Sequence, residues 1–223
     1  MIKENQLIQR VLVYIFGLFV LAFGVAFAIN SDLGVSPVNS LPYIISLITG
    51  FRMGMCVFAM FALFILLQIV ILRKEFKWIN LAQLIFAFIF GYFVDITRLI
   101  LGEFFLPTYL GQLVMLGISI VLIACGIILF MDAKLINLPP EGLMAAITLK
   151  KPSWPFHRVK IAVDSAFVTT AILLSFIFLS AIYGVREGTV LSAILIGKIM
   201  PLVRKVISPI MGKILDNGKD VKA

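Results

Sequence analysis

Charge is scarce in this chain: only 13% of its 223 residues are charged, while 62% are hydrophobic. A water-soluble domain of that length needs far more polar surface, so the composition excludes a soluble globule and points to an integral membrane protein. Histidine occurs once, as His157, which cannot build a metal site alone. The two cysteines, Cys56 and Cys125, lie inside apolar runs without metal-ligand spacing, so they read as inert buried thiols. There is no Ser/His/Asp set, H-x-x-x-H pair, pair of carboxylates in one run or phosphate-cradling glycine loop. An enzyme, a metal and a cofactor are therefore not expected. No cleavable signal peptide is apparent, since the first apolar run is too long. The net charge of +8 falls in short clusters between apolar runs rather than on one face, which argues against nucleic acid as a partner.

What is present is a series of long apolar runs. A hydrocarbon core ~30 Å thick needs roughly 20 apolar residues per helix. Six runs meet that length: 11–30, 52–72, 79–101, 109–131, 159–184 and 189–207. Backbone groups in lipid must bond within their own segment, so the expected fold class is an all-α membrane protein with six transmembrane helices in one domain. Lysine and arginine then set the orientation. Fifteen lie in the N-terminal segment, the second and fourth connections and the C-terminal end (Arg204, Lys205 and the tail, 208–223), against three, Arg52, Arg98 and Arg186, in the alternate connections. The bias places both termini in the cytoplasm.

The chain repeats itself. A shift of 102 residues lays SDLGVSPVNSLPYIISLITG, residues 31–50, on DAKLINLPPEGLMAAITLKK, residues 132–151, pairing Gly24 with Gly126, Pro37 with Pro139 and Leu41 with Leu143. Farther on, a shift of 106 pairs Arg52 with Arg158, Gly91 with Gly197 and Arg98 with Arg204. Three spans per half is an odd number, so the halves (about 11–101 and 109–207) enter the membrane in opposite senses. That arrangement is common among secondary transporters, whose sites form between repeats near the midplane. Within each interruption the prolines predict a short helix. Ser36 and Pro37 suit the N-cap and first position, and Pro139 and Pro140 open the second copy. Each short helix either lies flat as a lid or dips into the membrane with its amides toward a ligand.

The segments GVSPVNSLPYII, NLPPEGLMAAI and GVREGTVLSAILIG resemble the YczE/YitT-type bacterial membrane proteins over nearly the whole chain. The Gly188-Thr189 pair near the start of the last helix, with Gly197 eight residues on, is the most specific part. In the resembling pattern a proline follows position 197, where this chain has Lys198. The resemblance implies a small multi-helix protein of the bacterial inner membrane, with exporters suggested among its relatives.

Charges inside apolar runs are costly and mark candidate sites. Lys198 lies about nine residues from either end of the sixth run, roughly 14 Å deep at 1.5 Å per residue, so it is expected to face the bundle interior and pair there. Asp95 with Arg98, and Asp164 with Lys160, place opposite charges on one helical face; each is either a local pair or a proton carrier. Asn39 and Glu141 occupy matching places in the two short helices, as do Ser40 and Gly142. The expected substrate-binding set is Ser36, Pro37, Asn39, Ser40, Pro139, Glu141, Gly142, Thr189 and Lys198, with Asp95 and Asp164 coupling protons. The favoured function is a secondary transporter or exporter of a small molecule, the two repeats rocking about that site. Two alternatives stand beside it. Ala22 and Ala26 form an A-x-x-x-A that resembles the contact motif of substrate-binding subunits in energy-coupling-factor uptake systems. An accessory membrane protein with a dry interior is the other. A second copy or a partner subunit fits any of the three.

Overall fold

The computed structural model describes residues 4–215, and every regular element among them is helical. The order is α1 (Glu4–Asn30), α2 (Pro37–Thr49), α3 (Met53–Leu72), α4 (Gln83–Leu101), α5 (Tyr109–Asp132), α6 (Pro139–Lys150), α7 (Phe156–Leu179) and α8 (Glu187–Leu215). Two 3-10 turns, Arg73–Glu75 and Trp78–Ala82, join α3 to α4. Five helices are long and apolar enough to cross a membrane: α1, α3, α4, α5 and α7. Helix α8 is long, at 29 residues, but its composition does not reach that standard, because Glu187, Lys198, Arg204 and Lys205 and two prolines interrupt it. It also runs on through residues 208–215, which the sequence assigns to a tail; residues 216–223 lie outside the described residues.

Helix α7 ends five residues before the expected boundary. Ser180 takes a left-handed φ of 55°, and the Ser175 hydroxyl donates to the Ala181 carbonyl and accepts from the Tyr183 N–H, turning the chain away. Large apolar side chains such as Val70, Phe88, Leu99, Leu110, Phe176 and Val206 are exposed around the bundle. An apolar surface of this kind suits hydrocarbon, and the protein is an integral membrane protein.

The centre of the bundle is an antiparallel crossing of α1 and α5. A Cβ at Gly17 would sit 2.8 Å from the Phe130 nitrogen, and one at Gly126 would sit 2.6 Å from the Leu21 nitrogen, so only glycine allows this approach. One turn-pair along, the Ser119 hydroxyl donates to the Gly24 carbonyl at 2.7 Å. With no hydrophobic drive between helices in lipid, such close contact and hydrogen bonding is what holds them. Tyr14, Leu18, Phe61, Phe90 and Phe130 fill the core around this crossing.

The helices sort into two groups. Helices α1, α4, α5 and α8 pack on one another, and α2, α3, α6 and α7 do the same. The strong link between the groups is α3 against α4, where Gly54 and Gly91 bring the backbones together and the Gly54 N–H donates to Asp95 Oδ1 at 2.8 Å. Helices α7 and α8, although consecutive, hardly touch.

Candidate functional site

Between the two groups lies a cavity of about 360 Å³. Its walls come from the middle of the long helices: Leu21 on α1, Phe61 on α3, Phe90 on α4, Ile123 on α5 and Ile196 on α8. The open side is where α7 and α8 diverge, lined by Phe156, Lys160 and Asp164 across from Ala193, Gly197 and Met200.

Both short helices begin at this cavity and end at the surface. Ser36, Pro37, Val38 and Asn39 line it at the start of α2, whose C-cap Gly50 is exposed. Leu138, Pro140 and Glu141 line it at the start of α6, whose last residue, Lys150, pairs with Glu75 at 2.6 Å. They approach from opposite ends of α1. Near its N-terminal end, Arg10 Nη1 donates to the Ala133 carbonyl and the Tyr14 hydroxyl to the Ile136 carbonyl. At its other end the Gly188 N–H reaches the Leu33 carbonyl at 2.8 Å, and the Arg186 guanidinium donates to the Asp32 carbonyl.

The prolines explain why the helices start where they do. Pro37 and Pro139 hold φ ready for the first helical position and lose no needed donor. Ser36 has the extended N-cap conformation, but its hydroxyl accepts from Asn39 Nδ2 at 2.9 Å instead of capping the helix. The Asn39 side chain is thereby aimed, with Oδ1 left unpartnered. Lys160 Nζ contacts Asp164 Oδ2 at 2.7 Å, one helical turn apart, while Asp164 Oδ1 stays buried and unpartnered. On α6, which does not span the bundle, burial pushes the Glu141 carboxyl up to about 7, Lys160 opposing and Asp164 adding to the rise.

Ser36, Pro37, Asn39, Glu141 and Asp164 therefore meet around one space. The others serve elsewhere. Ser40 donates to the Pro37 carbonyl within α2. The Pro139 carbonyl accepts from Gln68 Nε2 at 3.2 Å, and Gly142 lies against the same glutamine. Thr189 packs under Gly34 and accepts from the Arg186 N–H, tying α8 to the segment before α2.

Lys198 differs most from expectation. It is exposed and, among the described residues, has no ion pair. The cavity-facing stripe of α8 is Ser192, Ala193, Ile196, Gly197 and Met200, and at 3.6 residues per turn Lys198 falls to one side of it. Asp95 is also apart: it holds the Gly54 N–H and borders a separate crevice with Arg52, Arg98 and Glu103, without an ion pair to Arg98 among the described residues. Ser192, fully buried in the cavity wall, is absent from the expected set; a hydroxyl one turn from Thr189 was its only signal.

Gln68 anchors the approach of α6. Its amide exchanges hydrogen bonds with Gln83 at 3.1 and 3.3 Å as well as reaching Pro139. Gln68→Ala leaves the Gln83 amide and the Pro139 carbonyl without a partner, and is expected to cost about 1 kcal/mol. Thermal unfolding in detergent checks it; an unchanged midpoint means the network contributes nothing.

Fold and cavity together define a class: an integral membrane helical bundle enclosing a mid-depth cavity, apolar in its walls and polar at the tips of two short helices. The chain belongs to the family described as a family of unknown function, DUF6198, whose model matches residues 8–205. It is 28% identical over 200 residues, 88% of this chain and 86% of the relative, to the Bacillus subtilis (strain 168) protein called "Uncharacterized membrane protein YczE". It is 27% identical over 167 residues, 74% of this chain and 81% of the relative, to "Uncharacterized protein YyaS" of the same organism. The YczE-type resemblance read from the sequence thus stands. No solved structure matches the chain.

Proposed function

We propose that this protein is a secondary transporter that moves a small molecule across the bacterial inner membrane by alternating access, with six spans in two inverted repeats and both termini cytoplasmic. The observation that carries the reading is the convergence of two repeat-related helix tips, from opposite ends of α1, on one mid-depth cavity. Transporter sites are built this way, at the interface of inverted repeats.

Packing supports the repeat. In the 102-residue register Gly17 corresponds to Ser119 and Gly24 to Gly126, and the two close contacts of the α1–α5 crossing, Gly17 with Gly126 and Ser119 with Gly24, exchange under that correspondence. The pairing of α1 with α4 is matched by α5 with α8, and α2 with α7 by α6 with α3. The mismatch is α3 with α4, which is tight, against α7 with α8, which is open. A transporter caught on one side of its cycle has this asymmetry: the same interface is closed in one repeat and open in the other. The units that move are then the two helix groups, each drawing elements from both repeats, rather than the repeats themselves. The charge bias puts the open side toward the cytoplasm.

A vitamin-capturing subunit for a separate motor remains the second reading, since a cavity alone fits it; the A-x-x-x-A on α1 does not favour it, because Ala22 and Ala26 are wholly buried inside the bundle. Cysteines introduced by Asp32→Cys and Lys134→Cys, in a chain lacking Cys56 and Cys125, test the topology with an impermeant thiol reagent. We expect labelling from opposite sides of the membrane. Labelling from the same side removes the inverted repeat, and with it this mechanism.

A further inference from the structure

The cavity presents more hydrogen-bond acceptors than the protein satisfies. Four atoms on its wall are buried without a partner: Asn39 Oδ1, Glu141 Oε2, Asp164 Oδ1 and Ser192 Oγ. Asn39 is 8% exposed, Asp164 9% and Ser192 0%. The amide oxygen and an ionised carboxylate can only accept, and a serine hydroxyl accepts as readily as it donates. A buried acceptor left unpaired is costly, so a group that supplies several donors at once is favoured here. The formal charge points the same way. Glu141 and Asp164 are two carboxylates against one ammonium, Lys160, and that ammonium engages only the other oxygen of Asp164. With Glu141 ionised, an anion would meet two carboxylates, an amide oxygen and a hydroxyl, whereas a cation completes the set.

The rest of the wall is apolar and aromatic, with Phe61, Phe90 and Phe156 among the residues that surround the polar tip. The volume of about 360 Å³ falls at the small end of ligand sites, which run roughly 300–1,000 Å³. Aromatic faces also attract cations held over them.

We propose that this cavity binds a small organic cation, an ammonium or amidinium head that donates several hydrogen bonds and carries an apolar body, and exchanges it for a proton held by Glu141. The exchange rests on the transport reading; the binding does not. Helix α6 packs on α3 and α7. The charged groups facing Glu141 are Lys160 and Asp164 of α7, with the Tyr14 hydroxyl of α1 beyond; α3 presents the uncharged Gln68, α2 Asn39 and α8 Ser192. In the empty cavity burial keeps the proton on Glu141. A cation arriving beside it favours the carboxylate, and the proton leaves to water. One positive charge enters and one departs, so the cavity's net charge is unchanged, and departure of the cation lets Glu141 take a proton back.

The test uses the full chain in detergent with three probes of one shape: 2-phenylethylammonium, 2-phenylethanol and 3-phenylpropionate. Calorimetry at about pH 6, in two buffers of different ionisation enthalpy, reads affinity and proton release together. We expect the ammonium to bind at least tenfold more tightly than the alcohol or the carboxylate, releasing a proton. Asp164→Asn should weaken it at least tenfold, and Glu141→Gln should abolish the proton release. Equal binding of the alcohol or the carboxylate, or an Asp164→Asn variant with wild-type affinity, overturns the assignment. Should Asp164→Asn fold poorly, Asn39→Ala and Ser192→Ala together are read by the same criterion. The transport reading fails separately: ammonium binding without ammonium-driven proton flux in proteoliposomes removes transport and leaves the cation site, whereas flux of an anion in its place does the reverse.

Discussion

Leucine at Gly91 is expected to unfold the protein, while leucine at its repeat partner Gly197 is expected to leave it folded and stop transport. A Cβ at Gly91 would lie 2.5 Å from the Gly54 carbonyl oxygen, a backbone atom that cannot step aside. The rest of a leucine side chain would have to wedge α3 from α4, the one strong link between the two helix groups. Overpacking of a fitted interface costs about 1–3 kcal/mol and sometimes more, and we place this substitution at about 3 kcal/mol or above. At Gly197 an added Cβ meets nothing within 4 Å, because the residue borders the cavity where α7 and α8 stand apart. Its stability change should stay within about 0.5 kcal/mol.

The functional arm is the stronger one. If α7 and α8 close on each other in the opposite state as α3 and α4 do here, Gly197 becomes the point of closest approach, and a leucine there holds the cavity open. Flux in proteoliposomes should fall at least tenfold, about 1.4 kcal/mol on the scale of the equilibrium that closes the site. Thermal unfolding in detergent and a flux assay measure the two arms. Equal stability of the two variants would mean the α3–α4 contact is not what holds the groups together. Wild-type flux through Gly197→Leu would mean that α7 and α8 do not close.

The second large effect is on pH. Burial raises the Glu141 carboxyl from an ordinary 4.5 to about 7, so the folded protein holds this proton more tightly than the unfolded chain does. Where the folded state binds more protons, stability falls as pH rises. Below about 4.5 both states are protonated and the carboxyl carries no penalty. Between about 4.5 and 7 the unfolded chain ionises first and stability drains away; above about 7 the loss is complete. The difference corresponds to about 3 kcal/mol at 1.36 kcal/mol per pH unit. Glu141→Gln removes the titration. It is expected to match the wild type near pH 4 and to exceed it by up to about 3 kcal/mol at pH 8. Unfolding midpoints at the two pH values decide the matter, and a variant with the wild-type pH dependence places the titrating group elsewhere. On the proposed exchange, the same substitution also removes the exchanged proton, so a gain in stability and a loss of coupled flux should appear in one protein.

How much of this was legible beforehand differs from element to element. The apolar runs gave α3 and α5 to within a residue, and α4 at its C-terminal end, where a 3-10 turn replaces the first four expected residues, since length and hydropathy act locally and lipid allows no alternative to the helix. The proline-led interruptions gave α2 and α6 for an equally local reason, the fixed φ of Pro37 and Pro139. Helix α8 shows the limit. Its depth in the chain predicted an inward Lys198, yet whether a helical residue faces in or out depends on how its helix is rotated against its neighbours. Arg204 on Asp132 and Gly188 on Leu33 fix α8 at both ends, and the face they select carries Ser192 and Gly197 inward and Lys198 outward. Asp95 makes the same point: the N–H of Gly54, forty-one residues away in the chain, ties its carboxylate to the α3–α4 contact, away from the cavity.

Taken alone, the sequence determined that this chain is an integral membrane protein, all helical, broken twice by matching proline segments, with Lys198, Asp95 and Asp164 as charges inside apolar runs and Asn39 and Glu141 as matching polar positions in the short helices. Hydropathy, proline geometry and charge count suffice for that, because each acts over a few neighbouring residues. Only the tertiary structure decided that Asn39, Glu141 and Asp164 face one cavity with Ser192, that α3 and α4 are shut while α7 and α8 stand open, and that the helices group across the repeat boundary. Those outcomes depend on which glycines of distant segments come into contact, and contact between distant segments is set by packing of the whole bundle rather than by any stretch of it.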